Sequence, residues 1–108
     1  MLGSGCTGWA PNAARWFTAS NIWGPWTFHG NPCHGPNAEL TFKGQSTYVL
    51  SVEGKKDAFI FMADQWKPDA QWDSRYLWMP LEIGDGKLWL NEPKPWTIDV
   101  KTGAFKFL

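Results

Sequence analysis

The sequence has no apolar run of roughly 18 residues or more, the length a membrane-spanning helix needs. Its opening residues, MLGSGCTGWAPN, have neither the basic start nor the apolar stretch of a secretory leader. A soluble chain that carries no address of its own is therefore expected. Charge of one sign is not in excess either. Ten lysines and arginines balance ten aspartates and glutamates, so net charge does not favour nucleic acid or an anionic membrane as a partner. No segment sustains an i, i+3, i+4, i+7 apolar pattern, which leaves helices absent or short. The nucleophile and phosphate-loop signatures G-x-S-x-G and G-x-x-x-x-G-K-[ST] do not occur. His29, Cys33 and His34 lie close together, but one cysteine and two histidines in a Gly/Pro-rich stretch do not make the ligand set of a structural zinc site. No metal or cofactor is expected. Cysteine is scarce too, and Cys6 and Cys33 are equally compatible with one disulfide and with two free thiols.

Tryptophan, by contrast, is abundant: the 108 residues contain nine, against two tyrosines. An indole is large and its N–H wants a partner, so nine in one small domain are too many to be all core. Some belong on a surface that binds something. The length suits a single domain, residues 1–108. Eleven glycines and eight prolines divide it into short aromatic and β-branched runs. Strands are expected at 14–19, 26–29, 39–42, 46–52, 58–64, 75–81, 87–90, 96–100 and 104–108. Glu53-Gly54-Lys55-Lys56-Asp57 and Gly84-Asp85-Gly86 read as hairpin connections, so the fold class is all-β with an antiparallel meander. On the strand from Arg75, alternation puts Tyr76 and Trp78 on one face and Arg75 and Leu77 on the other. Trp78 and Trp89 are assigned to the core.

Between Asp64 and Ser74 the chain leaves the strand rhythm for a polar loop with Pro68 inside it, the kind of segment that carries binding residues. Trp66 and Trp72 stand there among Asp64, Gln65, Gln71, Asp73, Ser74 and Arg75. An indole face packs on the C–H face of a sugar ring while carboxylate, amide, hydroxyl and guanidinium groups take its hydroxyls. The candidate carbohydrate-binding residues are Trp66, Trp72, Asp64, Gln45, Asp73 and Arg75, with one of the two loop indoles exposed and the other covering the sheet. The bland alternatives are that Arg75 pairs with Asp64 or Asp73, and that Gln45 serves a turn. Paired carboxylates cleave glycosidic bonds, but Glu39, Asp64, Asp73 and Asp99 each have a solvent or turn role open to them, and none is assigned as catalytic.

Taken in order, GWAPNAARWFTA, IWGPWTFHGNPC, TFKGQSTYVL, AFIFMADQW, DSRYLWMPLEI and PWTIDV resemble the closing segment of glycoside hydrolase family 43 enzymes, in the branch of the exo-β-1,3-galactanases. The resemblance runs nearly end to end. It implies a five-bladed β-propeller whose active site lies at the central axis and whose catalytic carboxylates come from earlier blades. This chain is then equivalent to about two blades, packed as a small β-sandwich or completed by self-association as a homodimer. Gln45 is the match for a glutamine placed near the reacting sugar in that branch. Gln65 stands between Asp64 and Trp66 where the resemblance implies an arginine. The function so implied is non-catalytic binding of plant cell-wall polysaccharide, as an extracellular or periplasmic part of a parent enzyme. The alternative is a glycosidase fragment active only within a longer chain or an oligomer.

Overall fold

The computed structural model describes all residues, 1–108. Its centre is a five-stranded sheet in the order β4-β8-β7-β6-β5. Here β4 is Cys33–His34, β5 Gln45–Ser51, β6 Phe59–Gln65, β7 Arg75–Gly84 and β8 Lys87–Asn91. The strands β5 to β8 form the expected antiparallel meander. The addition is β4, which joins β8 in parallel and was not foreseen, because two residues after a Gly-Asn-Pro turn give no period to read. A second sheet holds β1 (Leu2–Gly3), β2 (Arg15–Thr18) and β3 (Thr27–Gly30), and a two-stranded ribbon joins β9 (Trp96–Ile98) to β10 (Phe105–Phe107). No sheet closes into a barrel.

Both hairpin connections are where the turn chemistry puts them. Asp85 and Gly86 have φ of 50° and 71°, the two positive values that a type I′ turn requires and that Asp-Gly tolerates best. Asp57 and Gly54 take positive φ at the other. A bulge between Ser46 and Tyr48 then sets the register of β5 on β6, pairing Gln45 with Asp64 and Tyr48 with Met62.

Period-two alternation decides what is inside. Phe59, Phe61 and Ala63 of β6 share a face with Leu77, Met79 and Leu81 of β7 and Val49 of β5. Phe42, Cys33, Ala14 and Leu90 complete the core against that face, and Phe61 and Leu90 are fully buried.

Two expectations are corrected here, and the open question of the cysteines is answered. Residues 39–42 are not a strand: they lie in a 3-10 segment, Ala38–Lys43. Gly35-Pro36-Asn37 starts a tight turn in which Leu40 and Phe42 both donate their N–H to the Asn37 carbonyl at 3.0 and 2.9 Å. Thr41, Phe42 and Lys43 then take φ of 50°, 55° and 63°. That left-handed run is costly for residues with a Cβ. It is held by burial of Phe42 and by the Thr41 hydroxyl, which donates to the Asn12 carbonyl at 2.6 Å. Trp78 and Trp89 are not core, being 52% and 38% exposed. Their aliphatic neighbours Leu77, Met79, Leu88 and Leu90 take the inward positions, so alternation forces both indoles out. The thiols are free, with Cys6 exposed and Cys33 buried. Burial pushes the Cys33 thiol up to about 12.

Candidate carbohydrate site

The sheet face opposite the core carries Gln45 on β5, Asp64 on β6 and Tyr76 on β7, brought side by side by the register. Beyond the ends of β6 and β7 the connection 66–74 folds over this corner. It is an ordered loop. Its 3-10 turn, Gln71–Asp73, starts from Ala70 and closes with Ser74 N–H on the Gln71 carbonyl at 3.1 Å. The Lys67 N–H donates to the Ser74 hydroxyl at 3.1 Å. Lys67 Nζ lies 2.5 Å from Asp73 Oδ2, and the other carboxylate oxygen, Oδ1, lies 2.5 Å from Arg75 Nη2. The hydrogen bond from Lys67, with the charges of Arg75 and Lys67, holds the Asp73 carboxyl below the usual carboxylate range.

The result is a cavity of about 600 Å³ lined by Trp9, Gln45, Asp64, Trp66, Gln71, Trp72, Ser74, Arg75 and Tyr76. Five of the six residues singled out from sequence are therefore brought together. Asp73 stands behind the lining and acts on it by pairing Arg75, the bland alternative raised for that arginine. Gln65 points to the core side, where its amide donates to the Phe42 carbonyl at 2.9 Å. It ties the end of β6 to the 3-10 segment and takes no part in the cavity.

The two loop indoles differ as expected in degree. Trp72 is 86% exposed and stands free at the rim, while Trp66, 42% exposed, is held edge-on by Trp9 with ring centroids 6.2 Å apart. Trp66 covers less of the sheet than the one-in, one-out expectation required. Trp9 was not among the sequence candidates. It lies far upstream in a turn-rich segment after Gly8 and reaches the site because its carbonyl accepts from the Gln45 amide. Only its presence as a tryptophan outside any strand pointed to it. Tyr76 could have been found, since alternation already placed it opposite Leu77.

Aromatic faces therefore stand around polar groups with capacity to spare. The Asp64 carboxylate, the Gln71 amide and the Tyr76 phenol have no hydrogen-bond or ion-pair partner elsewhere in the chain. Donors, acceptors and flat apolar surfaces in one concave place are what a polyhydroxylated ring requires. Asp64 is the one carboxylate in the lining, and no group of three or more His, Cys, Asp or Glu is placed to hold a metal ion.

Comparison with known proteins identifies the family. A solved family 43 β-1,3-galactosidase, in complex with galactodeoxynojirimycin, is 45% identical and superposes with a TM-score of 0.81 over 91% of this chain. A second solved family 43 β-1,3-galactosidase is 36% identical, with a TM-score of 0.77 over 85% of the chain. This chain is part of a family 43 glycoside hydrolase domain. The exo-β-1,3-galactanase of Phanerochaete chrysosporium, solved with β-1,3-galactotriose, matches 99% of it at 29% identity and a TM-score of 0.83. The chain spans 28%, 20% and 24% of those three solved chains. No protein-family model matches the sequence, and neither does any curated protein. No helix of this family 43 segment is long and apolar enough to cross a membrane.

Proposed function

We propose that this family 43 segment binds a galactose-containing, β-1,3-linked plant polysaccharide in the cavity under the 66–74 loop, without cleaving it on its own. The observation that carries the reading is the lining itself: three indoles around unpartnered carboxylate, amide and phenol groups. Trp72 stacks on a sugar ring, Trp66 and Trp9 form the apolar wall, and Asp64, Gln45 and Arg75 orient the hydroxyls, with Asp73 holding Arg75 in place. The sugar class is suggested by the solved neighbours, which were obtained with galactodeoxynojirimycin and with β-1,3-galactotriose.

A glycosidase of this kind uses two positioned carboxylates, and Asp64 alone lines the cavity. The second reading follows from the neighbours being glycosidases: the segment contributes this wall of a catalytic site whose acid comes from outside residues 1–108. The polymer is extracellular, so the parent enzyme is expected to be exported. Titration of the purified chain with β-1,3-galactotriose, beside an aryl-β-galactoside assay, tests both. Saturable binding without turnover is expected. Turnover abolished by Asp64→Asn would transfer the assignment to the second reading, and absence of binding would end the first.

A further inference from the structure

Trp9 forms one wall of the cavity, yet packing does little to keep it there. It is 75% exposed, and its aromatic contact is the edge-on one with Trp66, inclined at 70°. A hollow of about 200 Å³ lies between its loop and the start of β5, bordered by Ser4, Gly8, Trp9, Asn12, Gln45 and Ser46 among others. The loop, residues 4–14, joins β1 to β2 and contains no strand. Inside it closes one backbone–backbone hydrogen bond, from the Ala10 N–H to the Thr7 carbonyl at 3.2 Å. An indole so exposed, on a backbone so sparsely bonded, has to be placed by side-chain hydrogen bonds.

Asn12 supplies them. Its Oδ1 accepts from the Gly5 N–H at 2.7 Å, and its Nδ2 donates to the Thr7 hydroxyl at 2.5 Å. That hydroxyl in turn donates to the Ala10 carbonyl at 2.6 Å. Thr7 and Ala10 are the ends of the turn centred on Gly8-Trp9, which Gly8 enters at φ 62°, a conformation that costs glycine nothing. The Asn12 amide therefore spans the neck of the loop and pins the turn that carries Trp9. The backbone of the same residue ties the loop to the core, because the Asn12 carbonyl accepts from the hydroxyl of buried Thr41. Beside Thr41, the Phe42 carbonyl accepts from the amide of Gln65, the residue before Trp66. Both indoles are thus held from one buried point, the left-handed turn at Thr41 and Phe42.

We propose that Asn12, which does not itself line the cavity, is a positioning residue for sugar binding: it holds Trp9 against Trp66 and so sets the apolar wall. Without its amide the Gly5 N–H and the Thr7 hydroxyl turn to water, and the loop is free to move over the hollow beneath it. The consequence for affinity rests on the carbohydrate reading above, whereas the placement of the indole does not.

The test is circular dichroism and β-1,3-galactotriose titration of the complete chain, with Asn12→Ala, Trp9→Ala and the double variant. Two inclined indoles this close couple their electronic transitions, and the difference between the parent and Trp9→Ala spectra isolates that exciton couplet. Asn12→Ala is expected to lose the couplet and to bind about 2- to 12-fold more weakly, the worth of one edge-on aromatic contact. In the Trp9→Ala background it should cost no further affinity. Thr7→Val, at an exposed position, breaks the same relay if Asn12→Ala fails to fold, while Thr7→Ser keeps the hydroxyl and should retain both couplet and affinity. A couplet that survives Asn12→Ala or Thr7→Val overturns the proposal, as does an affinity loss that Asn12→Ala adds in full on top of Trp9→Ala. A parent that does not bind galactotriose ends the carbohydrate reading alone. Loss of the couplet in Thr7→Val and its retention in Thr7→Ser would still establish that the Asn12 relay places Trp9.

Discussion

Replacement of Trp72 by alanine separates a binding residue from a packing one. At 86% exposure the indole buries little of its own surface, so its removal exposes almost no new apolar area and leaves no cavity to collapse. The melting temperature should stay within a degree or two of the parent. Stacking of an aromatic ring on a flat ligand face is worth about 1–3 kcal/mol, so affinity for β-1,3-galactotriose should fall roughly 5- to 150-fold. Trp66→Ala differs, because that indole sits 6.2 Å from Trp9 in an edge-on contact, worth about 0.5–1.5 kcal/mol. It should lose both affinity and a few degrees of melting temperature. Trp78→Ala is the third arm. A core tryptophan would cost about 3–5 kcal/mol on truncation, but this one is half exposed and should cost clearly less, with no change in sugar affinity. Calorimetric titration and thermal melts of the three variants give the six numbers required. Trp72→Ala binding like the parent, or melting far below it, refutes the stacking role.

Asp64→Asn should weaken galactotriose binding about tenfold while leaving the melting temperature unchanged, because the carboxylate has no intramolecular partner to lose; titration calorimetry checks it. The Asp73 carboxyl is held low by Lys67 and Arg75, so its contribution is present above the ordinary carboxylate range and is lost only as pH falls through its own depressed value. Binding that depends on Arg75 placement should therefore be flat from pH 7 to about 5, and an Asp73→Asn variant should be weaker across that range. Cys33, pushed up by burial to about 12, should resist thiol reagents at pH 8 while Cys6 reacts at once. Because its folded value is raised, the stability it contributes is lost as pH climbs above the ordinary thiol range toward that value, and Cys33→Ala should lose this limb of an alkaline stability profile. Phe61→Ala, at the centre of the core, should cost about 3–5 kcal/mol and lower the melting temperature by more than 10 °C, read by circular dichroism.

Much of this was legible because the signals are local. Strand positions, the Asp85-Gly86 hairpin and the outward direction of Tyr76 all follow from period-two alternation and turn chemistry between sequence neighbours. Five cavity residues were legible for a related reason. Trp66, Trp72 and Arg75 share one short irregular stretch, Asp64 ends the strand before it, and Gln45 begins the strand that pairs with Asp64. What was not legible depends on distant partners. Trp9 joins the site through a carbonyl contact to Gln45, across 36 positions. Residues 39–42 have strand composition, yet the Gly-Pro-Asn turn before them and the bond from Thr41 to Asn12 bend them into the core. Trp78 and Trp89 show a different limit. Size and apolarity assign a tryptophan to the interior, but on a two-sided sheet only parity says which interior, and the inward parity was already taken by leucine and methionine.

The same locality explains how a segment matching about a quarter of a solved enzyme keeps an organised site. The strands β5, β6, β7 and β8 pair with their neighbours in sequence, so the sheet forms without long loop closures. The cavity is built where three of those strands meet one ordered connection, and its geometry needs no closed ring. The core face is likewise filled from within, by Phe42, Ala14, Cys33 and Leu90. On the opposite face the ring of Tyr76 lies 6.4 Å from that of Trp78, and Trp96 closes on the same strand by donating its indole N–H to the Trp78 carbonyl at 2.8 Å.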